Sequence, residues 1–304
     1  MRVLVTGAEG FVGRHMVRDL HQAGHTPIQL VLDQASLPEA DAACDIRDGA
    51  TLRELVERLR PDACIHLAGI AFVPQAWEQP EQTFDINVTG TMTLLDTFRH
   101  HAPDARILVV TSGLSYGGAT GEAPISESHP FAPDTLYAAS KAAADQASLL
   151  YGRYHGLHIM TARPNNHTGP GQSDNFVIPS FARQLSAMRA APAEAVLRVG
   201  NLESRRDLLD VRDVVRAYRL LIEGGTAHHA YNIGGDRLVT IREALELMMD
   251  LTGVHPALEV DPSRYRPTDR SPLLDTTRIR EHVGWSPQRT LRETLADIVA
   301  EACA

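Results

Sequence analysis

The chain has little of what secreted, membrane-bound or nucleic-acid-binding proteins depend on. Its 304 residues include three cysteines, Cys44, Cys64 and Cys303. They are odd in number and far apart, with Cys64 inside an apolar run, so they read as free thiols of a reducing compartment and exclude a disulfide framework. No apolar run reaches the roughly 18 residues that a membrane-spanning helix needs. The amino terminus reads as a strand, not as a charged-then-apolar leader, so the expectation is no membrane contact and a cytoplasmic location. Positive charge is scarce as well. Lysine and arginine total 29 against 38 aspartates and glutamates, a formal net charge of −9, which argues against a nucleic-acid surface. Fourteen histidines could ligate metal, but pairs such as His100-His101 and His228-His229 lack a spaced cysteine or carboxylate partner, and no metal is expected. No internal repeat or low-complexity tract occurs, and the Ala/Pro-rich interval Ala190 to Ala195 reads as a surface loop. What remains, 43% hydrophobic residues over this length, can bury a large core in one large or two modest domains.

What is present begins at the amino terminus. Arg2-Val3-Leu4-Val5-Thr6 reads as a buried strand, followed at once by Gly7-Ala8-Glu9-Gly10-Phe11-Val12-Gly13 and a helical pattern through Leu20. Strand, glycine turn and helix come in the order that lets backbone N–H groups and the positive end of a helix hold a pyrophosphate. The spacing is GxxGxxG. A second strand, Ile28 to Leu32, ends at Asp33, where a carboxylate would accept the adenosine ribose hydroxyls and repel a 2′-phosphate. NAD(H) is therefore favoured, with NADP(H) possible. Asp45 and Ile46 are placed to flank the adenine. The run Ala63 to Gly69 reads as another strand, whose end, Leu67-Ala68-Gly69, would let a cofactor lie against the backbone.

Arg106 to Val110 is a further strand that runs into Thr111-Ser112. Ligands of open parallel sheets bind at the carboxyl ends of the strands, so Ser112 reaches the same rim as the glycine turn. Some 25 residues on, Tyr137-Ala138-Ala139-Ser140-Lys141 places a phenol and an ammonium four apart on an alanine-rich helix, sharing one face. A phenol titrates near 10, and a fixed ammonium beside it favours the phenolate. Ser112, Tyr137 and Lys141 together suggest proton transfer to a substrate oxygen.

These motifs resemble the extended short-chain dehydrogenase/reductases, which remodel nucleotide-activated sugars. The resemblance covers nearly all of the chain: Gly7/Gly10/Gly13, His66-Leu67-Ala68-Gly69, Asn87 before Gly90, Ser112 with Tyr116-Gly117, and Tyr137 with Lys141. Arg163 to Gln172, Phe176-Val177 and Val199 to Glu203 are similar to the members that reduce GDP-linked 4-keto-6-deoxyhexoses. The resemblance implies Tyr137 as acid-base group, Lys141 as the holder of the nicotinamide ribose, Ser112 on the reacting oxygen and Asn87 near the cofactor. It further implies Arg206 and Arg266 as a diphosphate clamp, and Asn166, Val177 and Asp269 as substrate contacts. His167 is expected near the substrate. The implied reaction is reduction of GDP-4-dehydro-6-deoxy-D-mannose to GDP-D-rhamnose. A nucleotide-sugar 4-epimerase with retained NAD is the alternative, and a non-catalytic dinucleotide sensor the third reading.

Three departures narrow this. Leu114 stands where the related 4,6-dehydratases carry an acid, and a leucine cannot move protons. Leu136 replaces the proline expected before the tyrosine, and Asn165 the phenylalanine expected beside the nicotinamide. The expected fold is α/β, a Rossmann-type doubly wound parallel sheet with a smaller, interleaved C-terminal substrate domain. Residues 1–165 plus about 206–233 would form the dinucleotide-binding domain and about 166–205 plus 234–304 the sugar-nucleotide domain. Helices near Thr91 to Arg99 and Lys141 to Tyr154 carry apolar faces, and the resemblance implies a homodimer through four such helices.

Overall fold

The computed structural model describes residues 1–117, 123–190, 196–262 and 271–303. Strand residues here are apolar on both sides because each strand is covered on both faces. In β1 (Arg2–Thr6), Val3 and Val5 enter one core and Leu4 the other. The same alternation holds in β4 (Ala63–His66), with Ile65 against Cys64, and in β5 (Arg106–Val110), with Leu108 against Ile107 and Val109. With β2 (Thr26–Val31), β3 (Ala42–Ala43), β6 (Ile159–Pro164) and β7 (Ala230–Ile233), these form a seven-stranded sheet in the order β7-β6-β5-β4-β1-β2-β3. All pairings are parallel. The order reverses between β1 and β4, which opens a crevice at their carboxyl ends.

One face is covered by α1 (Phe11–Gln22) and α6 (Val211–Gly224), the other by α2 (Gly49–Leu59), α3 (Thr91–His101) and α4 (Leu136–His155). A third core is separate. It joins α5 (Val177–Ala190), α7 (Ile241–Thr252) and α8 (Leu291–Ala302) through Phe181, Leu185, Leu245, Met248, Leu295 and Ile298. Thr240 and Thr290 start the last two helices with reciprocal capping boxes to Glu243 and Glu293. Ile279 and Trp285, late in the chain, return to the first core, where the Trp285 indole donates to Asp213 O at 2.9 Å.

Two sequence boundaries shift. The second strand runs Thr26–Val31, ending one residue early. The run expected to continue to Gly69 stops at His66, because the Leu67 and Ala68 amides turn away from the ladder to donate to the Thr6 hydroxyl, each at 3.1 Å. The 191–195 part of the expected surface loop lies outside the described residues.

Candidate active site

The glycine turn is shaped by two close approaches. Gly7 adopts φ +69°, and a Cβ there would stand 3.1 Å from Ala68 Cα; a Cβ on Gly13 would stand 2.2 Å from Gly7 O. Only glycine permits both. Gly10 caps α1 without a side chain and the first turn holds no acidic residue. The unpartnered N–H groups of that turn make an anion cradle facing Leu67-Ala68-Gly69. Phe11 stacks on His167 with ring centroids 6.2 Å apart, so His167 packs on this turn. Val12 is half-buried beside it.

At the end of β2, the exposed Asp33 accepts from Ala35 N at 3.0 Å, capping its own short helical turn. A carboxylate with no signal in the sequence pattern lies close by. Glu9, one of the residues between the motif's glycines, accepts from Leu32 N through Oε1 at 3.0 Å, while its buried Oε2 has no hydrogen-bond partner among the described residues. Asp45 is held by Arg47, whose Nη2 lies 2.6 Å from Oδ2 and whose Nη1 reaches Asp85 at 2.8 Å. The Arg47 hydrogen bonds hold the Asp45 carboxyl below the usual carboxylate range. Ile46 is buried against Gly90.

Ser112, two residues past β5, accepts from Leu114 N at 3.1 Å, which leaves its hydroxyl hydrogen for another partner. Tyr137 and Lys141 lie on the buried face of α4, whose first turn Thr135 caps by accepting from Ala138 N at 3.1 Å. Lys141 Nζ donates to Val110 O at 3.1 Å. Burial pushes the Tyr137 phenol up, opposed by a hydrogen bond from Ser112, and pushes the Lys141 ammonium down to about 8. From sequence the ammonium is expected to lower the phenol; in the folded chain desolvation sets the direction, and the opposing pull comes from Ser112. Of the 29 lysines and arginines, Lys141 is the one lysine. A buried ammonium shifts its proton affinity readily, so the single lysine is a signal the sequence held.

Asn87 is 1% exposed, with its side-chain oxygen beside Gly69. It accepts from Ile70 N at 2.8 Å and donates to Ile70 O and Ser140 Oγ. Behind α4, the Arg163 guanidinium forms a two-pronged pair with Asp145, at 2.9 and 2.7 Å, and donates to the Tyr116 hydroxyl at 2.7 Å. Thr111, next to Ser112, donates to the same Asp145 carboxylate.

On the side of the third core, Asn166 accepts from Ser271 Oγ, and Val177 opens α5 with 39% exposure. Burial lowers Arg206 to about 10 and raises Asp207 to about 6. Asp207 accepts from Asn165 Nδ2 at 3.0 Å and Gly235 N at 2.8 Å. Asn165 Oδ1 is buried without a hydrogen-bond partner among the described residues. Arg266 and Asp269 lie outside them. Leu114, half-buried, follows Ser112 with no proton to offer. No group of three or more metal-ligating side chains occurs among the described residues, and no helix there is long and apolar enough to cross a membrane.

Comparison with known proteins agrees with this geometry. A family model described as GDP-mannose 4,6 dehydratase matches residues 4–298. GDP-6-deoxy-D-mannose reductase of Pseudomonas aeruginosa is 37% identical over 302 residues, covering 99% of this chain and 96% of its own. A dTDP-glucose 4,6-dehydratase of Actinoplanes is 30% identical, covering 99% and 97%. The solved structure of RMD from Pseudomonas aeruginosa complexed with NADPH is similar with TM-score 0.86 and 36% identity over 99% of both chains. UDP-glucose 4-epimerase of Thermus thermophilus complexed with NAD gives 0.87 and 29% over 99% of both. The glycine cradle and the serine, tyrosine and lysine thus sit in a fold shared from end to end, and the chain belongs to the GDP-mannose 4,6-dehydratase family of NAD(P)-dependent extended short-chain dehydrogenase/reductases.

Proposed function

We propose that the protein reduces the C4 ketone of GDP-4-dehydro-6-deoxy-D-mannose to give GDP-D-rhamnose, with NAD(P)H as the hydride source. The observation that carries this reading is the placing of Ser112, Tyr137 and Lys141 at the carboxyl rim of the sheet, with Leu114 where a dehydratase needs an acid. The turn from Gly7 to Gly13, which a Cβ would fill, fits a dinucleotide pyrophosphate. A bound reduced nicotinamide supplies the hydride.

The chain's own residues supply the proton. Burial keeps Tyr137 a phenol at neutral pH, the protonation state that a general acid needs. As negative charge grows on the C4 oxygen, Tyr137 gives it the phenolic proton, and the Ser112 hydroxyl donates a hydrogen bond to the same oxygen. The Lys141 ammonium then favours the phenolate left behind. Arg206 and Arg266 clamp the diphosphate, while Asn166, Val177 and Asp269 contact the sugar and the nucleotide ribose. Asp33 and Glu9, two carboxylates at the end of β2, favour NAD(H) over a 2′-phosphorylated cofactor. NADPH, bound in the Pseudomonas structure, is the second cofactor to assay.

The sheet with its two covering layers forms the dinucleotide domain, and the third core the sugar-nucleotide domain, with the site in the cleft between them. The enzyme works in the cytoplasm as a homodimer through the α3 and α4 helices, where Leu150 and Tyr154 are 61% and 85% exposed. Following NADH and NADPH absorbance over a panel of GDP-, UDP-, dTDP- and CDP-linked 4-ketosugars tests the reading. Consumption with the GDP-linked ketone is expected. Purified protein carrying NAD and interconverting C4 epimers without net consumption would replace the reductase by a 4-epimerase; dinucleotide binding without turnover would leave a sensor.

A further inference from the structure

His66, at the end of β4, is buried and has no part in the chemistry proposed above, yet both ring nitrogens are engaged. Nδ1 lies 2.8 Å from Thr6 Oγ1 and Nε2 lies 3.0 Å from Thr91 Oγ1. Donor and acceptor balance fixes the direction of both bonds. The Thr6 oxygen already accepts from the Leu67 and Ala68 amides, which uses its two lone pairs, so its single hydrogen must go to Nδ1. The ring therefore carries its proton on Nε2 and donates it to Thr91. Thr91 in turn donates to Asn87 O at 2.7 Å. That carbonyl belongs to the π turn Asp85–Gly90, and a π turn inside a helix commonly marks a functional site. From the same residue, the Asn87 side-chain amide donates to Ser140 Oγ at 2.9 Å, and Ser140 donates to Tyr137 O at 2.8 Å. A protonated ring would have no acceptor at Nδ1. Burial and the neighbouring Lys141 ammonium accordingly hold the His66 imidazole down to about 3.

We infer that His66 is a positioning residue: fixed as one neutral tautomer, it couples the spacing of the glycine turn and the Leu67–Gly69 edge to the π turn that seats the catalytic helix under Tyr137. Its two nitrogens serve different ends. The Nδ1 side orders Thr6, which holds Ala68 against Gly7, where the dinucleotide would bind. The Nε2 side orders Thr91 and Asn87, and through Ser140 the carbonyl of Tyr137. The kinetic part of this inference rests on Tyr137 being the acid; the tautomer does not.

Two measurements separate these parts. Nitrogen-15 NMR of histidine-labelled full-length protein, with the signal assigned by its loss in His66→Phe, should show Nε2 protonated and Nδ1 bare from pH 5 to pH 9. An Nδ1–H tautomer, or titration near the ordinary histidine value, would overturn the inference even if the reductase reading holds. Steady-state kinetics then use variants that keep one end each. In His66→Asn the amide oxygen can replace Nδ1, and in His66→Gln the amide nitrogen can replace Nε2. Misplacing a reacting group by a fraction of an ångström costs about tenfold or more, so His66→Asn should lower kcat by about tenfold with little change in dinucleotide KM, and His66→Gln should do the reverse. Losing both ends, His66→Phe should show both defects. Equal loss of soluble protein in all three variants, with kcat and KM per folded molecule unchanged, would reduce His66 to a packing role. Absence of any ketone reduction in the wild-type chain would instead defeat the reductase reading and leave the NMR result standing.

Discussion

Beneath Tyr137, each side-chain polar atom from Thr6 through His66, Thr91 and Asn87 to Ser140 finds a partner. Across the rim, toward the third core, the balance is different: Asn165 Oδ1 has no hydrogen-bond partner among the described residues, Asp207 is raised to about 6 and Arg206 is lowered to about 10. Burial costs a charged group free energy, and desolvation is the leading cause that shifts both pKa values toward the neutral form. The hydrogen-bond chain beneath Tyr137 is thus closed by the fold itself, whereas Arg206 and Asp207 across the rim hold charge that burial disfavours and a charged ligand would favour. The difference separates residues that set rate from residues that set affinity.

The strongest way to break this comparison is Tyr137→Phe. Removing a general acid costs typically 10²–10⁴-fold, so kcat should fall by about that much in single-turnover assays, with substrate KM nearly unchanged. Retention of more than about a tenth of the rate would move the proton source elsewhere. Next in size is the buried pair behind the same helix. Arg163→Met leaves the fully buried Asp145 carboxylate without its cation, and breaking such a pair costs about 3–5 kcal/mol, read as a lower denaturation midpoint. Arg163 also lies over Phe131, 4.5 Å from the ring centroid, and that stacking is lost too. A loss below about 1 kcal/mol would mean that the half beneath Tyr137 is less rigidly determined than its hydrogen bonds indicate.

Across the rim the same kind of substitution should act mainly on affinity. Arg206→Ala removes a charge that burial disfavours, so its stability cost should be well below that of Arg163→Met. Hydrogen bonds to a charged group are worth about 1.5–3 kcal/mol, so the KM for the sugar nucleotide should climb about tenfold to a hundredfold. Unchanged KM, or a stability loss like that of Arg163→Met, would erase the distinction between the two halves.

Legibility in the sequence follows the same line. The glycine turn, the alternating strands and the Tyr137/Lys141 face were readable because each is set by neighbours a few positions away, and the parallel sheet followed from the βα alternation. Side-chain pairing across the fold was not. The Asn87 side chain meets Ile70 and Ser140, 17 and 53 residues away. Glu9 looks like a spacer until Leu32 N, 23 residues on, is found on its carboxylate. The relay through His66 spans 60 residues to Thr6 and 25 to Thr91, distances that no local pattern encodes.

The smallest expected effect is also the most specific, because Lys141 is the one lysine. Protein grown with carbon-13-labelled lysine gives one ε-carbon signal, absent in Lys141→Arg, and its titration midpoint should lie near 8 instead of the ordinary 10.5. The sign for stability follows. Below pH 8 folded and unfolded chains both hold the proton, and the folded chain bears the whole cost of burying it. Between 8 and 10.5 the unfolded chain still binds a proton that the folded chain has released, so this group makes stability rise with pH through that window and level off above it. Lys141→Met, which never carries the charge, should flatten that part of the wild-type curve. A midpoint near 10.5, with no difference between the two curves, would show that the ammonium under Tyr137 is solvated, and that the half of the rim beneath Tyr137 is open to water instead of closed by its own hydrogen bonds.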